Sequence, residues 1–311
     1  MTSASDPILY PHRGLGMDHD RYAWSPLPAR PPVSWPGGKR VALVVMPTVQ
    51  WFPLDMSSTP FAPVGTPDEP YPDYRTYSHR DYGNRVGIFR IMAALHRLGL
   101  PATCRVNGIV AKRYPELLAE VVRRRWEVAA YGWHMGRTHH SELRPDDEAG
   151  LIQQTLGVLR RATGQPVTGW LSPGGTESAA TLDLLGRNGV AYVLDWAHDE
   201  LPTPLRTAAG VIHAMPPAPD LDDAITIWQS RHSTDEFAEA ILDAHRLLDR
   251  EARDRGGRIL PIALHSWIAG QPHRIGRLER ALADLAGHPG VWPATAAEVL
   301  AAFTAQQEKT A

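Results

Sequence analysis

ILPIALHSW, residues 259–267, is apolar until its last three positions, and 274–287 (RIGRLERALADLAG) then spaces its apolar residues by three and four. An unbroken apolar run reads as a strand buried on both faces, and the spacing that follows reads as an amphipathic helix. Working outward, the same alternation recurs. The strand-like runs are RVALVVM (40–46), ATCRVN (102–107), EVAAYG (127–132), TGWLS (168–172), AYVLDW (191–196) and VIHAM (211–215). Helical spacing appears at 86–99, 115–125, 146–164, 179–189 and 235–253, and several of these segments stop at glycine, as a helix C-cap requires. Strand and helix in turn predict an α/β fold with a mostly parallel sheet wrapped by helices. Seven such strands can close into a barrel or stay open.

At 311 residues the chain is long enough for one large core, and its formal net charge of -2 gives no electrostatic reason to expect nucleic acid or an anionic membrane. Small-molecule chemistry is the better expectation. A single cysteine, Cys104, rules out an intrachain disulfide, and its place inside a strand suits a packed thiol. No stretch approaches a membrane span, and MTSASDPILYPHRG lacks an export pattern, so the chain reads as cytoplasmic. Prolines crowd residues 26–74, where they favour extended connections. The expected organisation is a proline-rich arm over 1–39, a βα domain over 40–305 and a polar tail over 306–311.

Ligands in such folds gather beyond the carboxyl ends of the strands. Applied to each run, that rule selects Gln50 and Trp51, Asn107, Tyr131 to His134, Pro173-Gly174-Gly175, Asp195 with Trp196 and His198, Met215, and His265 with Trp267. His265 is the first candidate for acid/base work, since a histidine there can move a proton near neutral pH or donate to an oxyanion; the alternative is a buried histidine bonded to a carbonyl. Asp195 is a candidate to orient it. In RDYGNR (80–85), Asp81 or Asn84 is expected to cap the following helix, and an arginine such as Arg85 to clamp a carboxylate or imide oxygen. SPGGTES (172–178) offers either backbone amides to an anion or a plain glycine turn. The aromatic set Trp51, Tyr131, Trp133, Trp170, Trp196 and Trp267 suggests a flat-walled cavity for a cyclic or aromatic compound. Glu127, at the start of its strand, belongs to the opposite end and reads as structural.

The order of DHDRYAWSPLPARPPVSWPGGKRVAL (18–43), RDYGNRVGIFRIM (80–92), ATGQPVTGWLSPGGTES (162–178), YVLDWAHDELPTPLRT (192–207) and LHSWIAGQPHRIGRLERAL (264–282) resembles the polysaccharide deacetylase superfamily, within its allantoinase-like and cyclic-imide-hydrolase-like branch. The resemblance implies a distorted barrel of about seven βα units. It also implies hydrolysis of a carbon–nitrogen or ester bond, usually at a metal held by one aspartate and two histidines. Here the aspartate motif aligns with VVMPTVQWFPLD, which places Gln50 at the carboxylate position, and Tyr131 and Met135 take the two histidine positions. The metal-site groups that the family uses are therefore missing together.

In EVAAYGWHMGRTHH (127–140), His134, His139 and His140 stand at shifted offsets. Either His134 lines a pocket while the other two open a polar loop that caps the next helix, or His134 with His139 or His198 forms a relocated site for a divalent metal such as zinc. The first expectation is no cofactor. The leading functional expectation is a hydrolase of a small amide or cyclic imide, with His265, Asp195 and His134 catalytic. Gln50, Trp51, Arg85, Tyr131, Trp133, Trp170, Pro173, Trp196, His198 and Trp267 are expected to line the substrate. A non-hydrolytic enzyme on the same fold and a silent small-molecule binder are the alternatives. A homo-oligomer is expected by analogy with related proteins.

Overall fold

The computed structural model describes residues 19–310 except 58 and 218, with nothing said of the side chains of 308–310. All seven expected runs are strands: β1 (Val41–Val49), β2 (Thr103–Val106), β3 (Glu127–Ala130), β4 (Gly169–Trp170), β5 (Tyr192–Val193), β7 (Gly210–Ala214) and β8 (Arg258–His265). They pair in parallel in the order β7-β5-β4-β3-β2-β1-β8. Two further strands went unread in the sequence. β6 (Thr203–Thr207) runs antiparallel to β7, and β9 (Val291–Pro293) joins the start of β1. The result is a curled sheet with helices outside it, the distorted barrel that the resemblance implies.

Among the described residues no ladder joins the two margins of the sheet. The outer edge of β8 takes one parallel bridge, Asp222 opposite Ala263. At β6 the Arg206 N–H donates to the carbonyl of Arg21 in the arm (2.7 Å).

Strand alternation divides the core in two. Val41, Leu43 and Val45 face the helices, whereas Ala42, Val44 and Met46 face the interior with Trp35, Tyr131, Tyr192, Ile259 and Phe303. Trp35 of the arm closes the floor, its indole N–H donating to the Arg258 carbonyl (2.8 Å). Glu127 belongs to this floor, as its strand-start position predicts. It accepts from Tyr192 Oη (2.6 Å) and Thr103 Oγ1 (2.7 Å), far from the carboxyl ends. The last helix, Ala296–Thr310, continues past residue 305 into the segment read as a tail.

The helix expected to begin at 86 begins twelve residues earlier. Tyr74–Tyr82 is α-helical, Gly83–Gly87 winds as a π segment, and Ile88–Arg97 resumes the α-helix. The cap is Asp73, whose carboxylate accepts from the Thr76 N–H (3.0 Å), so RDYGNR lies inside a helix and neither Asp81 nor Asn84 caps it. Glycine spacing explains the segment. A Cβ on Gly87 would stand 1.9 Å from the Ser266 carbonyl oxygen, and one on Gly83 would stand 2.5 Å from Ser266 Oγ. The π turn therefore lies backbone to backbone against the short helix Ser266–Ala269 that follows His265.

Candidate functional site

A cavity of about 420 Å³ opens at the carboxyl ends of the strands and gathers Gln50, Arg105, Tyr131, Asp195, Asp222 and His265 on its lining. Residues separated by more than two hundred positions meet there because β1, β2, β3, β5 and β8 all end on that side. Phe61–Val64 of the proline-rich loop and the turn Gly174–Thr176 add to the rim.

His265 is 4% exposed. Its Nδ1–H donates to Asp223 Oδ1 (2.7 Å), with Asp222 Oδ1 at 3.3 Å. Asp223 is fully buried and also accepts the His265 N–H (2.8 and 3.0 Å) and the Ala269 N–H (3.2 Å). One carboxylate thus fixes both the backbone and the ring of His265, which turns Nε2 toward a ligand. The partner expected from the sequence was Asp195; the structure gives that place to Asp223, because the Pro219–Gln229 segment folds back along β8. Asp195 instead accepts from the Ser172 N–H (2.8 Å). Burial raises its carboxyl well above the usual range, and Glu177 adds to the effect. Glu177 is itself pushed up to about 7 by burial.

Gln50, Tyr131 and Met135 do converge. Gln50 Nε2 lies 3.5 Å from Met135 Sδ, and Tyr131 lines the same wall. Gln50 Oε1 is taken by the Trp267 indole N–H (3.1 Å), and its backbone carbonyl by Asn84 Nδ2 (2.7 Å). Burial lifts the Tyr131 phenol far from ionisation. An amide, a thioether and a neutral phenol supply no anionic donor, so these residues do not fit the metal that the family holds at this place.

Two other clusters have metal-like spacing among the described residues: Asp222, Asp223 and His265, and His245, Asp249 and His288. In the first, the Asp223 oxygens are already engaged by four N–H contacts. In the second, Asp249 is paired with Arg40 (2.7 Å) and Arg253 (3.3 Å), two cations that oppose a third. His134, His139 and His198 form no such cluster among the described residues.

The other expected site residues stand elsewhere. Trp170 is wholly buried and donates to Ser172 Oγ (2.9 Å), so it is core. Trp267, 1% exposed, lies behind Gln50 and stacks under Arg80, whose guanidinium carbon is 3.7 Å from the ring centroid. Arg85 is 74% exposed on the outer helix and, among the described residues, pairs with Asp81 (3.6 Å), too far out to clamp a ligand. Trp51 meets His134 edge to face (5.2 Å) and Arg113 on its other side, outside the cavity lining. Trp133 packs on Gly108 and Lys112. Pro173 is buried against Gly132. Trp196 donates to Glu177 (3.0 Å), and His198 stacks on Tyr22 of the arm (4.1 Å). His198 borders a separate cavity of about 580 Å³ between the arm and the last helix. His139 is buried against Glu148 (2.9 Å), and the helix Pro145–Thr163 has Arg144 at its N-cap with no side-chain cap bond, so the expected cap from the polar loop is not made.

His134 has one measurable consequence. Burial pushes its imidazole down to about 4, from an ordinary 6.5. The unfolded chain then binds the proton first, so this contribution to stability is complete above pH 6.5 and fades as pH falls toward about 4. Melting curves of His134→Gln should lose part of the acid slope in that window; an unchanged slope would contradict it.

Sequence reasoning missed Asp223, Asp222 and Arg105. The signal for Arg105 was a charge in the middle of a buried strand, on the face shared with Thr103 and Asn107.

The comparisons with known proteins agree with the fold. Residues 74–193 match the polysaccharide deacetylase family. A protein named "Putative polysaccharide deacetylase" from Schizosaccharomyces pombe is 21% identical over 288 residues, covering 87% of each chain. Among solved structures, a "probable Polysaccharide deacetylase" from Pseudomonas aeruginosa PAO1 superposes with a TM-score of 0.79 at 24% identity, covering 89% of this chain and 95% of its own. "Puue Allantoinase" gives 0.80 at 22% identity, covering 89% and 94%. At such identities the structural likeness establishes the fold. Among the described residues no helix is long and apolar enough to cross a membrane.

Proposed function

Starting from a chain of the polysaccharide deacetylase fold, we propose that it hydrolyses a non-peptide carbon–nitrogen bond in a small amide or cyclic imide, without the family's Asp-His-His metal. The observation that carries this reading is the His265–Asp223 pair at 2.7 Å, facing a cavity of about 420 Å³. With Nδ1–H held by Asp223, the Nε2 lone pair takes a proton from a water that attacks the carbonyl carbon. The new C–O bond places charge on the carbonyl oxygen, which the protonated Tyr131 hydroxyl is suited to meet. Collapse breaks the C–N bond, and the proton passes from Nε2 to the leaving nitrogen. The apolar wall of Phe61, Leu171 and Leu194 suits a compact cyclic substrate.

Cyclic imides, ureides and N-acetyl compounds are the substrates to screen, with solvent ¹⁸O incorporated into the acid product. Exhaustive chelation should leave turnover unchanged. Near-stoichiometric zinc, iron or cobalt whose removal abolishes turnover would overturn the metal-free reading, and conversion without label would overturn hydrolysis.

A further inference from the structure

Arg105 is 3% exposed, in the middle of β2, and lines the cavity. Its contacts are poor for a buried cation. Nη2 reaches the Met46 carbonyl at 3.4 Å, Nη1 stands 3.9 Å from Asp222 Oδ2, and Nε has no hydrogen-bond partner among the described residues. Two partly buried arginines elsewhere are paired at hydrogen-bond distance, Arg21–Asp183 (2.8 Å) and Arg30–Asp199 (2.6 Å). The buried Arg80, behind Gln50 and Trp267, donates to the Gly65 carbonyl (2.8 Å) and lies over the Trp267 ring (3.7 Å) with Trp228 at 4.5 Å.

The nearest carboxylate, Asp222 at 3.9 Å, makes no hydrogen bond to Arg105. Asp222 Oδ1 accepts from the Ala224 N–H (2.8 Å) and faces His265 Nδ1 (3.3 Å), which draws the group toward β8. Asp195 is on the same lining, and burial disfavours its anion, which weakens its opposition to an incoming carboxylate. A buried guanidinium with unmet donors is unfavourable unless a partner arrives, and its planar fork matches a carboxylate with two parallel bonds.

We infer that Arg105 is a substrate-binding residue that holds a carboxylate, so that the compound taken by this pocket is a small anion with a flat apolar body. The inference rests on reading the cavity as the substrate site, and it adds the charge of the substrate to that reading. Arg105 is on the β2 side of the cavity and His265 on the β8 side. A ligand anchored at one is presented to the other.

The test is calorimetric binding of benzoate and its neutral counterpart benzamide to the full-length protein. Benzoate should bind about tenfold more tightly than benzamide. Arg105→Met should remove that preference and leave benzamide within about threefold, while Asp222→Asn, which takes away the competing carboxylate, should tighten benzoate about threefold or more. If Arg105→Met fails to fold, Arg105→Lys takes its place: it keeps the charge but loses the fork, and should weaken benzoate about threefold to tenfold. Equal affinities in the unaltered protein, no benzoate binding at about 10 mM, benzoate binding undiminished in the arginine variants, or weaker benzoate binding in Asp222→Asn would each overturn the inference. Benzoate has no bond to hydrolyse, so its binding stands even if the hydrolase reading fails. Imide turnover with no benzoate preference would remove this inference alone.

Discussion

Replacing His265 by alanine should lower kcat/KM by about 10³-fold, within the range of a positioned general acid and base, with KM moving less than about threefold. Asp223→Asn tests how that histidine is held. The side-chain oxygens accept four contacts from three N–H groups: the His265 backbone N–H to both oxygens, the imidazole N–H to Oδ1 and the Ala269 N–H to Oδ2. An amide must turn its own NH₂ toward one of them. At least one buried donor is left unpaired, at about 1–3 kcal/mol, and the ring loses the partner that selects its tautomer. The expected result is a fall in kcat of about 10²-fold together with a lower melting temperature. A bell-shaped pH profile whose basic or acidic limb is unchanged in Asp223→Asn would contradict this positioning role. Full activity in His265→Ala would remove the proposed chemistry.

The second large effect is expected far from any titratable group. Gly87→Ala places a methyl 1.9 Å from the Ser266 carbonyl oxygen; that oxygen is backbone and the new Cβ is fixed by its own backbone, so no rotamer change can move either aside. Gly270 closes the same contact from the other chain segment, its own Cβ position lying 2.3 Å from the Gly87 Cα. The helix Ser266–Ala269 must shift, and with it the Ala269 N–H that Asp223 uses. Overpacking of this kind is expected to destabilise by about 3 kcal/mol, which for a chain of this size lowers the melting temperature by about 5 °C. Turnover should fall with it at temperatures where the protein is still folded. Gly276→Ala, inside the helix Pro272–Gly287, meets only a flexible Arg280 side chain at 3.8 Å; as the matched control it should leave turnover unchanged and hold or slightly raise the melting temperature. Equal stability of the two variants would show that the contact yields.

Much of the architecture was legible because buried parallel strands have to be apolar over several successive positions, and each of the seven runs is one. β6 and β9 escaped for the same reason. TPLRT has a burial pattern with a single buried residue, and VWP has only three positions, so neither produces a recognisable run. YRTYSHRDY carries almost no apolar face, and its helix is set by the Asp73 cap and by packing on Ser266–Ala269 rather than by periodicity.

The site was legible to the extent that strand order dictates it. Gln50, Tyr131, Asp195 and His265 share one cavity because each ends or follows a strand of the same parallel sheet. Asp223 obeys no such rule. It comes from an irregular segment between β7 and β8, and only the fold shows that this segment doubles back along β8. The tryptophans misled because strand ends also need bulky apolar plugs beneath the cavity: Trp170 and Trp267 fill volume and steer Ser172 and Gln50 instead of meeting a ligand.

The two margins of the curled sheet are shielded by other means than joining each other. Residues around Asp222 lie along one side and the backbone near Arg21 along the other, so neither border is left as a bare template for a strand from a neighbouring molecule. A cylinder that never completes its seam can in this way escape runaway polymerisation. The same stretch that guards the seam beside β8 delivers Asp223 to His265, which ties colloidal behaviour to the geometry of the proposed site in a single piece of chain.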